Sequence, residues 1–243
     1  MNKGSFFIFL LLLPILCSCE KRMDIINNGK QDKSCLSIKV IKGAEYYLKR
    51  FLFFRGRHKP QMVIWLENSN SDYVSTIYMT QSAAAGDWST DHDGFRPSCF
   101  PVWSHRRGVQ TAPGYYMPTR EKPLEDGITG ATPSRNFQIN WSWPADLDPG
   151  KYSVWMEVNT SYDYNAKFNQ INPDSEIRHP FNGQPSIILS CAIDTTYQGH
   201  ITDMNIVGHG DVKGNTGTIY HDLSGITSAV DMIRKVIVEF NIY

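Results

Sequence analysis

The segment Gln61–Glu67, with the sequence QMVIWLE, decides the fold. In an extended chain its apolar side chains occupy both faces, with Met62, Ile64 and Leu66 on one face and Val63 and Trp65 on the other. A strand that is apolar on both faces is typical of the centre of a sheet. The polar segment Asn68–Asp72 follows, and it predicts a hairpin into a second strand, Tyr73–Thr80.

Short runs of β-branched and aromatic residues predict further strands on both sides of this hairpin. They are Cys35–Ile41, Phe137–Trp143, Tyr152–Asn159, Ser186–Ile193, Ile201–Val207 and Lys235–Ile242. Gly225–Arg234 has apolar residues at helical spacing and predicts a helix, whereas Tyr46–Phe54 fits either state. We therefore expect an all-β fold, an antiparallel β-sandwich with at most one or two short helices.

Composition excludes several classes of protein. The 243 residues carry 24 Lys and Arg against 24 Asp and Glu, so the chain lacks the basic surface that nucleic-acid binding requires. Apolar residues make up 41% of the chain, which excludes charge-driven disorder. We expect one sandwich domain over residues 35–243, large enough to bury a core.

The N-terminus has the features of an export signal. The run Phe6–Leu16 is too short to span a bilayer and suits the apolar core of a signal peptide over residues 1–18. It ends in Leu16-Cys17-Ser18-Cys19, which resembles the bacterial lipobox and implies lipidation at Cys19. Residues 19–34 are then expected to be a polar tether. The alternative is an ordinary signal peptide with two incidental cysteines.

Three cysteines remain in the expected domain: Cys35, Cys99 and Cys191. In an oxidising compartment they allow at most one internal disulfide, with three possible pairs. No CxxC motif is present, so the sequence offers no thioredoxin-like redox pair.

One motif lies inside a long irregular stretch, Ser82–Arg135, which is rich in glycine, proline and aromatic residues. The sequence Asp126-Gly127-Ile128-Thr129-Gly130-Ala131-Thr132 resembles the motif at which a flavin transferase uses FAD to esterify FMN to a threonine. The resemblance makes Thr132 the acceptor and gives Asp126 a role in recognition. Thr129 supplies a hydroxyl that can bond nearby backbone, and Gly130 and Ala131 keep the backbone uncrowded.

The surroundings of this motif resemble the bacterial periplasmic domain of unknown function 2271 family. The matching segments are Pro60–Glu67, Tyr73–Ile77, Pro101-Val102-Trp103, Trp141 and Pro149–Tyr152. The resemblance covers residues 59–158 well and the last third loosely. It implies an immunoglobulin-like sandwich whose relatives are encoded near flavin transferases and membrane redox components. The segment Ala83–Gly114 is longer than the family's usual form, and Ser134-Arg135-Asn136 replaces its usual approach to the Trp strand.

Two functions from different classes remain open. The first is a cell-envelope lipoprotein that carries covalent FMN for extracytoplasmic electron transfer, with a flavin transferase and a membrane redox protein as partners. A bound flavin needs an aromatic wall, for which the candidates are Trp88, Trp103, Tyr115, Tyr116, Trp141 and Trp143. The second is a non-catalytic, immunoglobulin-like binding or structural lipoprotein without a cofactor, in which Asp126–Thr132 is only a turn.

Other residues give no defensible catalytic or metal site. Asp91-His92-Asp93-Gly94 resembles the start of a calcium loop but lacks its terminal glutamate. No nucleophile elbow or catalytic triad is recognisable, so we expect no enzymatic turnover.

Overall fold

The computed structural model describes residues 23–28, 34–49, 57–88, 95–169 and 182–242. The strands in chain order are β1 (Asp24–Asn28), β2 (Cys35–Lys42), β3 (Leu48–Lys49), β4 (Arg57–His58), β5 (Gln61–Asn68), β6 (Tyr73–Thr80), β7 (Ile128–Gly130), β8 (Phe137–Ser142), β9 (Lys151–Asn159), β10 (Ile187–Asp194), β11 (His200–Asp203), β12 (Asn205–His209) and β13 (Ile233–Asn241). Most neighbouring strands pair in antiparallel fashion, and β3 and β4 form a separate small pair.

Two sheets pack against each other, which confirms the all-β sandwich. One has five strands in the order β1-β8-β2-β13-β11, and the other has six in the order β12-β10-β9-β5-β6-β7. The main core lies between them and takes side chains from both, including Ile38 and Phe137 from the first sheet and Ile64 and Met156 from the second. Interdigitation of two inner faces is the usual core of a sandwich.

Strand β5 is central, as its sequence predicts. It pairs with β6 on one side and β9 on the other. Met62, Ile64 and Leu66 enter the core between the sheets, whereas Val63 and Trp65 enter a second apolar cluster on the outer face of the six-stranded sheet. All five side chains are fully buried. The two apolar faces of the sequence therefore correspond to two separate cores.

Two short helices lie in the stretch that was expected to be irregular: α1 (Gln81–Ala84) and α2 (Pro101–Arg107). Helix α2 begins with proline, whose fixed φ suits a first helical residue, and ends at Gly108 in the left-handed conformation at φ 69°. It covers the outer face of the six-stranded sheet with the fully buried side chains of Val102 and Trp103.

The expected helix over Gly225–Arg234 is largely wrong. Only Ser228–Asp231 forms a single 3₁₀ turn, and Ile233 already belongs to β13. The expected strand Ile201–Val207 is also split, because Met204 separates β11 in the five-stranded sheet from β12 in the six-stranded sheet. Of Tyr46–Phe54, the structure describes only the beginning, where β3 is extended.

Two edge pairs are parallel, which the sequence did not indicate. Strand β1 pairs with β8, and β7 pairs with β6. The sequence predicts a polar tether over residues 19–34. The structure instead forms strand β1 within it, at Asp24–Asn28. Backbone pairing with β8 incorporates them into the five-stranded sheet.

Candidate functional site

The motif Asp126–Thr132 lies at the outer edge of the six-stranded sheet. Its centre forms β7, in which Ile128 is opposite Tyr78 and Gly130 is opposite Thr80. Because β7 is the last strand of the sheet, the backbone groups on its other side have no strand partner among the residues that the structure describes. The segment is therefore presented to other molecules on a rigid support.

The N-terminal end of the motif is held by helix α2. An Asp126 carboxylate oxygen lies 3.1 Å from a guanidinium nitrogen of Arg107, and the two side chains are 51% and 12% exposed. Arg107 also lies over the Trp103 ring, with its guanidinium carbon 5.6 Å from the ring centroid. Asp126 is thus placed by a helix that was not recognised in the sequence.

The two glycines of the motif have different roles. A Cβ added at Gly127 would lie 3.1 Å from Leu124 Cδ2 and 3.2 Å from Thr76 Cγ2, so tight packing explains this glycine. A Cβ added at Gly130 would meet Tyr78 no closer than 3.9 Å, which is ordinary contact. Packing therefore gives no reason for glycine at position 130, while an uncrowded approach for another molecule does.

Thr132 has a free hydroxyl and a restrained backbone. Its side chain is half-buried, and its Oγ1 has no hydrogen bond to any residue that the structure describes. Its carbonyl oxygen accepts a hydrogen bond of 3.0 Å from Lys59 Nζ, which also donates to Ser134 Oγ at 2.7 Å. A half-buried hydroxyl that has no hydrogen bond to the described residues, on a backbone held in place, is suited to modification by another enzyme.

The chain that leaves Thr132 is held by residues of the Lys42–Tyr47 segment. Tyr46 donates its hydroxyl to the Pro133 carbonyl oxygen at 2.8 Å. Lys42 Nζ donates to the Ser134 carbonyl oxygen at 2.5 Å, and the Tyr47 hydroxyl donates to the same oxygen. Burial, followed by the neighbouring Tyr78, raises the pKa of Tyr46, so this phenol stays a donor. The Thr132 end of the motif therefore faces two lysines, Lys42 and Lys59.

The remaining predicted site residues lie on the motif's surface. Thr129 and Ala131 are exposed, and Thr129 lies opposite Met79 in the sheet. The structure thus brings all five predicted residues to one edge. It adds Lys59, Arg107 and Tyr47, which no local pattern in the sequence could identify because they are distant along the chain.

The predicted aromatic wall is wrong for five of its six members. Trp88, Trp103, Tyr115, Trp141 and Trp143 are at most 8% exposed and are packed in the two cores. Tyr116 is half-buried beside His105, with ring centroids 4.7 Å apart. Tyr47 is instead a half-buried ring at the Thr132 end of the motif, with Lys42 Nζ 4.7 Å from its centroid.

Two buried glutamates support the outer face of the six-stranded sheet. Glu157 is fully buried and accepts hydrogen bonds from Trp103 N at 2.8 Å and Ser186 Oγ at 2.6 Å. Burial raises its pKa to about 8, against the lowering effect of these donors. Glu67 accepts from Trp65 Nε1 at 2.9 Å and pairs with Arg106 at 3.1 Å. Each carboxyl group therefore helps to hold α2 on the sheet.

The three cysteines of the domain are free, buried thiols, so none of the three possible disulfides is present. Burial raises the pKa of Cys99 and Cys191 to about 12 and also raises that of Cys35. They remain protonated at neutral pH, and protonated thiols are poor nucleophiles.

Several predicted features lie outside the described residues: the signal segment 1–18, Cys19 and the Asp91–Gly94 segment. Within the described ranges there is no helix of sufficient length and apolarity to cross a membrane. The same ranges contain no cluster of three or more His, Cys, Asp or Glu side chains that could hold a metal ion.

Neither a family model, nor a curated protein, nor a solved structure matches this chain. The functional argument therefore rests on the residues of the site and their geometry.

Proposed function

We propose that the chain is a cell-envelope lipoprotein that carries FMN covalently on Thr132 and takes part in extracytoplasmic electron transfer. The observation that carries the proposal is the Thr132 hydroxyl, which has no hydrogen bond to the described residues and lies two residues beyond an edge strand, within a complete Asp126–Thr132 motif. It would be a substrate of a flavin transferase rather than an enzyme. The flavin would supply the redox chemistry, and the chain would supply attachment and exposure.

The attachment reaction needs one reacting group from this chain, the Thr132 hydroxyl. The Thr132 oxygen attacks the FMN phosphorus of FAD and forms a new P–O bond. The pyrophosphate P–O bond breaks, AMP leaves with the bridging oxygen, and the hydroxyl proton passes to the transferase or to water. No electrons are transferred in this step. The chain's part is to present the hydroxyl and to keep its backbone accessible at Gly130 and Ala131.

The residues of the site fit a phosphate ester. Lys59 contacts the acceptor residue and Lys42 contacts the chain two residues beyond it, and a single negative charge is stabilised by cations at such a site. The unexplained glycine at position 130 also favours this function over a simple turn, since packing leaves room for a side chain there.

The anchoring part of the proposal concerns Cys19. Acylation there would hold the domain at a membrane, facing the periplasm or the cell exterior, without a spanning helix. The redox partner would then be a membrane protein that the attached flavin can approach.

The test is the intact mass of the domain without its lipidation site, co-expressed with a flavin transferase in an export-competent host. We expect a mass increase equal to FMN minus water, mapped by fragmentation to Thr132. Thr132→Ala should abolish the increase while Thr132→Ser, which keeps the hydroxyl, should retain it. An unmodified wild-type mass, with the transferase active on a control substrate, would favour the alternative of a cofactor-free binding or structural lipoprotein.

A further inference from the structure

We propose that Lys59 is a positioning residue that binds the phosphate joining FMN to Thr132. This inference rests on the proposed flavin attachment and assigns a function to a residue outside the Asp126–Thr132 motif. Lys59 lies 73 positions before Thr132, immediately ahead of the central strand β5.

The position of Lys59 is fixed by the sheet. Pro60, the next residue, is buried, and Gln61 begins the strand that pairs with both β6 and β9. The lysine side chain spans from there to the edge of the sheet, where Nζ reaches the Thr132 carbonyl oxygen at 3.0 Å. A group carried on a rigid element holds its geometry better than one on a loop.

Lys59 has capacity for one more acceptor. An ammonium group has three protons to donate. Two are used, by the Thr132 carbonyl oxygen and by Ser134 Oγ at 2.7 Å. No carboxylate of the described residues forms an ion pair with Lys59. It is therefore a cation with a free proton at the backbone of the acceptor residue.

A phosphate on Thr132 would fall close to this cation. The ester oxygen and the carbonyl oxygen that Lys59 already contacts belong to the same residue, so the phosphorus would be only a few bonds from the hydrogen-bonded oxygen. A phosphodiester carries one negative charge, and charge-assisted hydrogen bonds are stronger than neutral ones. Lysine binds phosphate as a compact point charge, so one nearby ammonium group is sufficient.

The other cations at the motif are less suited to this role. Arg107 lies at the opposite end and is paired with Asp126 at 3.1 Å. Lys42 donates to the Ser134 carbonyl oxygen, two residues beyond the acceptor. The geometry therefore assigns recognition of the motif's start to Arg107 and Asp126, and binding of the phosphate to Lys59.

The experiment compares purified Lys59→Gln, Lys59→Arg and Lys151→Gln domains with wild type, using purified flavin transferase and FAD. Lys151 is an exposed lysine at the first residue of β9, at the end of the sheet remote from Lys59, and serves as the matched control. The readouts are kcat/KM for the domain as acceptor and the phosphorus NMR signal of the loaded domains.

We expect Lys59→Gln to lower kcat/KM by about tenfold and to shift the phosphorus signal, because the charge is lost while an amide donor remains. Lys59→Arg should restore both values toward wild type, and Lys151→Gln should change neither. In wild type, the nitrogen NMR signal of the Lys59 ammonium should move when Thr132 is loaded. This measurement does not depend on how any variant folds.

Two results would overturn the inference, and they are distinguishable. A loaded wild type whose phosphorus signal and kcat/KM are unchanged in Lys59→Gln would remove Lys59 from the site and leave the flavin attachment intact. A wild type that accepts no FMN would refute the attachment itself, and the phosphate site with it.

Discussion

The two faces of the six-stranded sheet are buried by different means. The inner face packs against a second sheet, and its side chains from β5, β9 and β10 are almost all apolar. The outer face is covered by α2 and by aromatic residues of the neighbouring loops, such as Trp88 and Tyr115. It includes Glu67 and Glu157 beside Trp65 and Trp103. The same strands therefore carry an apolar core on one side and a mixed core on the other.

This difference follows from what covers each face. Strands in a sheet pair their backbone N–H and C=O groups with each other. The inner face therefore needs only apolar side chains whose shapes and volumes pack closely against the other sheet. A helix whose first turn is buried leaves N–H groups without intrahelical partners, and these need acceptors. Glu157 provides one for Trp103 N at 2.8 Å, and a weaker contact for Val102 N at 3.4 Å. The outer face is thus specified by polar partners as well as by volume.

The largest expected effect tests whether the outer face belongs to the cooperative core. Trp65→Ala should lower the free energy of unfolding by about 3–5 kcal/mol and Ile64→Ala by about 2–5 kcal/mol, because both side chains are fully buried. Denaturant unfolding followed by circular dichroism measures both. A loss below about 1 kcal/mol for Trp65→Ala would mean that α2 and its loop fold independently of the sandwich.

The second prediction concerns pH and separates the mixed core from the apolar one. Burial raises the Glu157 pKa from 4.5 to about 8 in the folded state, so the folded protein holds this proton more tightly than the unfolded chain. Stability from this group is complete below pH 4.5 and is lost as the pH rises to about 8. The denaturant concentration at the midpoint of unfolding, measured from pH 4.5 to about 8, should fall with increasing pH.

The matched variants for this experiment are Glu157→Gln and Glu121→Gln. The first should flatten the pH dependence, because the amide does not titrate, while the exposed Glu121 should leave it unchanged. If the slope persists in Glu157→Gln, another group is responsible for the titration.

The smallest expected effect concerns the contact between the outer-face helix and the motif. Arg107→Gln removes the ion pair to the half-exposed Asp126 and should cost no more than about 1 kcal/mol of stability. Flavin loading by the transferase should nevertheless fall, because Asp126 loses its fixed orientation. The control is Arg120→Gln, which breaks the exposed pair with Asp87 outside the motif. Equal loading of these two variants would show that α2 does not position Asp126.

The sequence predicted those elements whose cause is local. The alternation in Gln61–Glu67 located β5 and both of its buried faces. Helix α2 was missed because it has only seven residues and depends on Glu157, which is 54 positions away from Trp103. The apolar spacing in Gly225–Arg234 favoured a helix, but pairing of Ile233 and Val236 with β2 extends the chain instead.

The candidate site could be predicted from the sequence only where its residues are contiguous. The Asp126–Thr132 pattern is contiguous and could be read directly, whereas the contacts of Lys59 and Arg107 depend on how the sheet and helix bring distant segments together. Five of the six candidate rings for the flavin wall are buried, because composition does not distinguish a ring in a core from a ring on a surface.

Strand β1 has a consequence for the distance between the folded body and a membrane. Only five residue steps separate Cys19 from Asp24, where β1 begins. A fully extended chain covers at most about 18 Å over that length. With Cys19 acylated as proposed, the first residue of β1 would stay within this distance of the lipid headgroups. A protein that exchanges electrons with it would therefore meet a domain held next to the membrane, rather than one that diffuses across the width of the compartment.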